Sequence, residues 1–179
     1  MIDTKFRTKL YKQDYASKPK IDGIKFIDIP YFTDDGGAFC ELLKKGDTGF
    51  FAEHFFDFEL KQVNWSIIEP GLIKAGHLHK NQEDIWFVPP TDKVLVGLMD
   101  LRENSATVGV KMRFVLGAGH TRLLYIPRGV AHGCANPYPR SMTVLYMVNK
   151  IWTSDPETTD EYRIDYREFG EGFWEMAKG

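Results

Sequence analysis

Gly71-Leu72-Ile73-Lys74-Ala75-Gly76-His77-Leu78-His79-Lys80-Asn81-Gln82-Glu83 is the stretch whose reading decides the fold of this 179-residue chain. In an extended strand, residues two apart point to the same face, so His77 and His79 project together from one side of a sheet. Glu83 follows a turn later. A second stretch, Pro127-Arg128-Gly129-Val130-Ala131-His132-Gly133-Cys134-Ala135-Asn136, carries another histidine just beyond a Pro-x-Gly turn. Three of the chain's five histidines fall in these two stretches. Three imidazoles and a carboxylate are a sound donor set for a divalent transition metal. A single imidazole, titrating near neutrality, equally suits a general base.

Outward from these stretches the chain reads as short β-branched and aromatic runs: 24–29, 64–68, 85–88, 94–99, 110–116, 122–126 and 143–148. Runs of this length, bounded by Asp, Gly and Pro, are strands. Asp34-Asp35-Gly36-Gly37, Glu69-Pro70-Gly71, Pro89-Pro90, Gly117-Ala118-Gly119 and Asn136-Pro137-Tyr138-Pro139 supply the turns. Helix is confined to a turn at 40–45 and a short segment at 166–176. Strands at this spacing without intervening helices predict an all-β sandwich or barrel, with the jelly roll as the version whose interior holds a ligand. Residues 1–20, with Lys5, Arg7, Lys9, Lys12, Lys18 and Lys20 among few core formers, read as an arm or an added edge strand. Residues 21–179 form one domain.

Composition bounds the function. A net charge of −2 argues against a general nucleic-acid binder, and no apolar run approaches the length of a membrane span. No signal-peptide pattern opens the chain, so a cytoplasmic protein is expected. Cys40 and Cys134 lack metal or redox spacing and read as reduced structural thiols. Charge is unevenly spread: residues 71–136 carry eight Lys/Arg against five Asp/Glu, whereas both flanks are net acidic. A cationic middle third suits a small anionic ligand.

The two histidine stretches resemble the paired motifs of the cupin superfamily: glycine, five residues, HxH, three residues, Glu; then PxG, two residues, His, three residues, Asn. Pro90 stands where the first motif ends in glycine. The resemblance implies a double-stranded β-helix jelly roll. In metal-binding cupins the matching positions, here His77, His79, Glu83 and His132, hold Fe, Mn, Ni or Zn.

A second resemblance runs from about residue 21 to 166. Ile21-Asp22-Gly23-Ile24, Phe32-Thr33-Asp34-Asp35-Gly36-Gly37-Ala38-Phe39-Cys40-Glu41, Gln62-Val63-Asn64-Trp65-Ser66, Lys74-Ala75-Gly76-His77, Asp100-Leu101-Arg102, Ile126-Pro127-Arg128-Gly129-Val130-Ala131-His132-Gly133 and Leu145-Tyr146 follow the order of motifs in dTDP-4-dehydrorhamnose 3,5-epimerases. That family is cupin-fold, usually homodimeric, works without metal, and inverts C3 and C5 of a dTDP-linked 4-keto-6-deoxy sugar. By resemblance His77 is the base, Tyr146 the acid on the opposite face, and Asp165 the carboxylate that orients His77. Glu41, Gln62, Asn64, Lys74, His79, His132 and Trp152 are the implied substrate contacts, with aromatics offering a face for base or sugar.

Departures from the family pattern concern charge. Lys74 replaces a phosphate-binding arginine and lacks its bidentate fork. Gly36 replaces another arginine, and Ile85, counted back from Asp100, replaces the active-site lysine. Lys80, Lys93 or His79 are the candidates to compensate at the enolate. The leading expectation is therefore a metal-free nucleotide-sugar epimerase. The alternatives are a metal cupin (oxygenase or metal-assisted isomerase) using His77, His79, Glu83 and His132, and a non-catalytic nucleotide-sugar binder.

Overall fold

The computed structural model describes residues 1–13, 15–44, 54 and 57–176. Two five-stranded antiparallel sheets face one another. The first has the order β1 (Lys25–Asp28), β9 (Arg122–Ile126), β6 (Asp84–Phe87), β11 (Met142–Val148), β4 (Gln62–Ile68). The second runs β12 (Tyr162–Arg163), β5 (Ile73–Leu78), β10 (Val130–Ala135), β7 (Lys93–Asp100), β8 (Lys111–Gly117). A separate hairpin pairs β2 (Phe32–Asp34) with β3 (Gly37–Phe39).

Strand alternation divides the apolar side chains among three layers. Trp86, Val94, Val96, Leu98, Leu124, Ile126, Cys134 and Val144 fill the space between the sheets. Ile85, Phe87 and Leu123, which adjoin them in sequence, face outward with Met147 and are covered by Ile27, Ile29 and Phe58. On the other side Leu95, Met99, Ala131 and Ala135 are covered by Phe169 and Trp174 near the C-terminus. Strand β7 is thus buried on both faces, which explains its unbroken apolar run Val94–Met99. Gly97 makes room for this cover: a Cβ there would stand 2.4 Å from the Trp174 ring.

The expected helix at 40–45 is absent from Cys40–Lys44, and Lys45 lies outside the described residues. The C-terminal helix reduces to a 3-10 turn over Tyr166–Phe169 followed by turns. Its job is to seat Phe169, Phe173 and Trp174 on the outer face of the second sheet, with ring centroids 5.0–5.3 Å apart. The described residues before Ile21 form one helical turn, Thr4–Arg7, and are exposed; Ile21 is the first buried side chain. No helix among the described residues is long and apolar enough to cross a membrane.

Candidate active site

The open end between the two sheets is a cavity of about 500 Å³, within the range of small-molecule sites. Strand β5 supplies its most important wall through an irregularity. His77 pairs with His132, but Ala75 pairs with Gly133, so β5 contains one residue more than β10 across this step. The extra residue is Gly76, at φ +81°. Such a bulge resets side-chain alternation. Lys74 and His77, three apart, would otherwise face opposite sides; here both line the cavity.

His77 is held from both sides by residues 161–163. The Arg163 Nη1 lies 2.9 Å from His77 Nε2. A guanidinium only donates, so Nε2 carries a lone pair and the ring proton belongs on Nδ1. Nδ1 faces the Glu161 carboxylate at 3.8 Å. That contact with His77, followed by the attraction of His79 and Arg163, holds the Glu161 carboxyl below its ordinary range despite partial burial. Asp160 anchors the segment: its carboxylate accepts backbone N–H groups from Lys80, Asn81 and Gln82 at 2.8–3.2 Å.

The other two histidines are buried deeper. His79 donates Nδ1–H to the Asp160 carbonyl (2.9 Å) and His132 donates Nδ1–H to the Val130 carbonyl (3.0 Å). Burial first, then the neighbouring His79 and His77, push the His132 imidazole well down, against the pull of Asp84, so it is neutral near pH 7. Asp84 accepts from the Gln82 amide (2.8 Å) and the Trp86 indole (3.0 Å), with His132 Nε2 at 3.7 Å. Across from β5, on the facing sheet, β11 presents Tyr146. Burial, then Asp84 and Glu161, raise its hydroxyl above the usual value, so it stays protonated and able to donate.

Of the residues expected from sequence, Lys74, His77, His79, His132, Tyr146 and Trp152 line this cavity. Gln62 and Asn64 line a second one, about 300 Å³, which shares Gln82, Tyr146, Trp152 and Glu161 with the first. Three expectations are corrected. Asp165 is exposed and caps the 3-10 turn by accepting from Arg167 N–H; the carboxylate beside His77 is Glu161, four residues earlier. Glu41 lies outside both cavities, 3.9 Å from Lys44. Glu83 faces Arg128 and Asn149 (both 3.1 Å), away from the histidines.

That last correction bears on a metal. The set His77, His79, Glu83 and His132 is not assembled, because Glu83 is engaged elsewhere and Arg163 occupies His77 Nε2. The ligand atoms of His79, Asp84 and His132 do lie within 4.8 Å of one another, but this trio contains neither His77 nor Glu83. The four cupin ligands therefore do not fit here.

Charge is also distributed differently than expected. Most cations of the middle third are spent outside the cavity: Arg102 on Asp100, Arg122 on Asp28, Arg128 on Glu83, and Lys80 and Lys93 over the rings of Tyr162 and Tyr138. Among the described residues the main cavity is lined by two cations, Lys74 and Arg163, and two acids, Asp84 and Glu161. Ile85 points into the outer core; the cavity-facing residues on its strand are Asp84 and Trp86, neither cationic. Sequence reading missed Ser66, Gln82, Asp84, Trp86, Glu161 and Arg163. Ser66 was legible because it continues the every-second-residue series of Gln62 and Asn64, whereas no motif marks Glu161 or Arg163.

The comparisons with known proteins agree with this architecture. Residues 18–168 match the family model described as dTDP-4-dehydrorhamnose 3,5-epimerase. The spore coat polysaccharide biosynthesis protein SpsL of Bacillus subtilis is 37% identical over 86% of this chain and 95% of its own length. The probable low-salt glycan biosynthesis epimerase Agl13 of Haloferax volcanii is 30% identical over 83% and 90%. RmlC of Streptococcus suis, solved in complex with dTDP-D-xylose, superposes with a TM-score of 0.62 at 27% identity, covering 87% of this chain and 79% of that one. A jelly roll with the family's motifs in order, a histidine flanked by a carboxylate and a facing tyrosine, and a match over most of its length together make this chain a member of the dTDP-4-dehydrorhamnose 3,5-epimerase family of dTDP-sugar isomerases.

Proposed function

We propose that the protein epimerises a dTDP-linked 4-keto-6-deoxyhexose through an enolate, with His77 as base and Tyr146 as acid. The observation that carries this reading is His77 itself, its Nδ1 beside Glu161 and its Nε2 lone pair on the cavity side, opposite a protonated tyrosine on the facing sheet. The 4-keto group acidifies the hydrogens at C3 and C5. Nε2 takes one proton, the C–H electron pair becomes the C=C bond, and the carbonyl π pair moves to O4. Glu161 fixes the tautomer and stabilises the imidazolium. Tyr146 then protonates the carbon from the other face, and solvent restores both residues.

The sugar occupies the cavity that contains His77. The nucleotide extends into the adjoining cavity, where Gln62 and Asn64 offer amides and Trp152 a stacking face, with Lys74 near the diphosphate. The bound dTDP-D-xylose of the Streptococcus suis relative supports a nucleotide-sugar substrate. The test is incubation with dTDP-4-keto-6-deoxyglucose in D2O, followed by NMR. The expected result is deuterium at C3 or C5, at a rate unchanged by a chelator. No exchange with any of several 4-keto sugar nucleotides, or loss of exchange on chelation, would defeat the reading.

A homodimer is part of this proposal. Edge strand β4 turns Gln62, Asn64 and Ser66 toward the cavities, while Val63, Trp65 and Ile67 on its outer side are 53%, 67% and 40% exposed. An unpaired edge with an uncovered apolar face is a liability in a monomer. A second copy covers it, with the N-terminal arm, residues 1–20, as an added strand. Light scattering of the full chain and of a chain lacking residues 1–20 tests this: twice the monomer mass for the first only is expected, and a monomeric full chain refutes it. A cytoplasmic location agrees with a nucleotide-sugar substrate and with Cys134, whose thiol burial pushes up to about 12 and so keeps unreactive.

A further inference from the structure

Resting on the reading of the site as an enolate-forming epimerase centre, we propose that Arg163 is a further catalytic residue, the donor that stabilises the enolate oxygen O4. An enolate in a partly buried cavity needs a positive donor at the oxygen where charge develops. Two positions where the family resemblance expects a cation lack one: Gly36 sits in the β2–β3 hairpin turn, and Ile85 faces the outer core. Lys80 and Lys93 lie over tyrosine rings and line neither cavity.

Two cations remain among the described lining residues, and their engagements differ. Lys74 Nζ is taken up by the Ser66 hydroxyl (3.1 Å) and the Ile67 carbonyl (2.8 Å) on β4. Arg163 donates Nη1 to His77 Nε2, a neutral partner that the reaction itself must displace. The substrate carbon that gives up its proton must come within about 3–3.5 Å of Nε2, which is the place the guanidinium now occupies. The carbonyl carbon is its direct neighbour, so a guanidinium pushed aside by the sugar comes to rest next to O4. Five N–H donors in a planar fork allow Arg163 to make that bond while its charge still attracts the nearby Glu161 carboxylate.

The backbone fixes this placement. Arg163 pairs directly opposite His77 in the β12–β5 ladder, Ile164 N–H donates to the Gly76 carbonyl at 2.8 Å, and the Asp160 carboxylate ties the preceding residue pair to the loop after β5. The segment thus presents Glu161 to one nitrogen of the base and Arg163 to the other. In the proton transfer Arg163 gives up no proton: the C–H proton goes to Nε2, the negative charge goes to O4, and Arg163 contributes a hydrogen bond to O4 alone.

The experiment compares wild type, Arg163→Gln and Arg163→Lys for deuterium wash-in to the 4-keto sugar, with dTDP affinity by calorimetry and the thermal midpoint measured alongside. Arg163→Gln is expected to lower kcat for exchange about 100-fold, with KM and the dTDP Kd within about threefold of wild type. Arg163→Lys should recover at least about tenfold over Gln, because it restores the charge without the fork. The proposal is overturned if Arg163→Gln keeps kcat within threefold, if its loss lies in KM and dTDP affinity, or if both variants lose activity together with thermal stability. Absence of exchange by wild type would be seen before any variant is compared, and would overturn the epimerase reading and this role together.

Discussion

Replacing His77 with asparagine is expected to lower exchange of the C3 and C5 hydrogens by about a thousandfold or more, the upper part of the range for a lost general base. Asparagine keeps a polar side chain in the place of the imidazole but cannot take up a proton at neutral pH. The dTDP affinity should be nearly unchanged, because the groups assigned to the nucleotide, Gln62, Asn64 and Trp152, lie along the adjoining cavity. Tyr146→Phe gives the informative contrast. With the base intact and the opposite-face acid gone, deuterium still enters from the His77 side while inversion is lost. Proton NMR of the recovered sugar distinguishes wash-in without inversion from loss of both. An active His77→Asn enzyme, or a Tyr146→Phe enzyme that still inverts its substrate, would contradict the assigned roles.

Gly76→Ala is expected to destabilise the fold by about 3 kcal/mol and to abolish activity. Two costs combine. An L-residue at φ +81° gives up about 1–2 kcal/mol. The added Cβ would also stand 1.9 Å from the Ile164 carbonyl oxygen, so β12 must move away or β5 must lose its bulge. Either response disturbs the site: moving β12 carries Arg163 and Glu161 off His77, and removing the bulge turns Lys74 or His77 away from the cavity. Gly71→Ala is the control. Its φ is +76°, but nothing lies within 4 Å of the added carbon, so only the conformational cost of about 1–2 kcal/mol is expected. Urea unfolding of both variants, with exchange assays, checks the pair. A Gly76→Ala protein with the wild-type midpoint and rate would show that the bulge does not set the site.

The histidine wall was legible in sequence because it depends on local rules. His77 and His79 share a face by strand alternation, and His132 follows a turn whose Pro and Gly are written in the chain. The central strands were legible for the same reason, since residues 94–99 and 122–126 have no other way to bury their side chains. Glu161 and Arg163 were not legible. Their role comes from a two-strand ladder between residue 163 and residue 77, 86 positions away, and no local spacing encodes that distance. Asp165 was a reasonable carboxylate to select, but it sits at the start of a 3-10 turn, where capping Arg167 N–H is the nearer use for its oxygens.

Charge shows the same division. A cationic middle third was correctly counted, yet side chains that alternate or extend outward place most of that charge on the far side of the sheets, paired with Asp28, Glu83 and Asp100. The cation beside the base comes instead from the acidic last third. By itself, then, the sequence determined an all-β jelly roll, the family, and the histidines and tyrosine that face its interior, because periodicity and turn chemistry act over a few residues. The tertiary structure alone decided which carboxylate and which cation accompany His77. Those choices depend on strand register across the whole chain and on a single extra residue, Gly76, that reverses which side chains face the cavity.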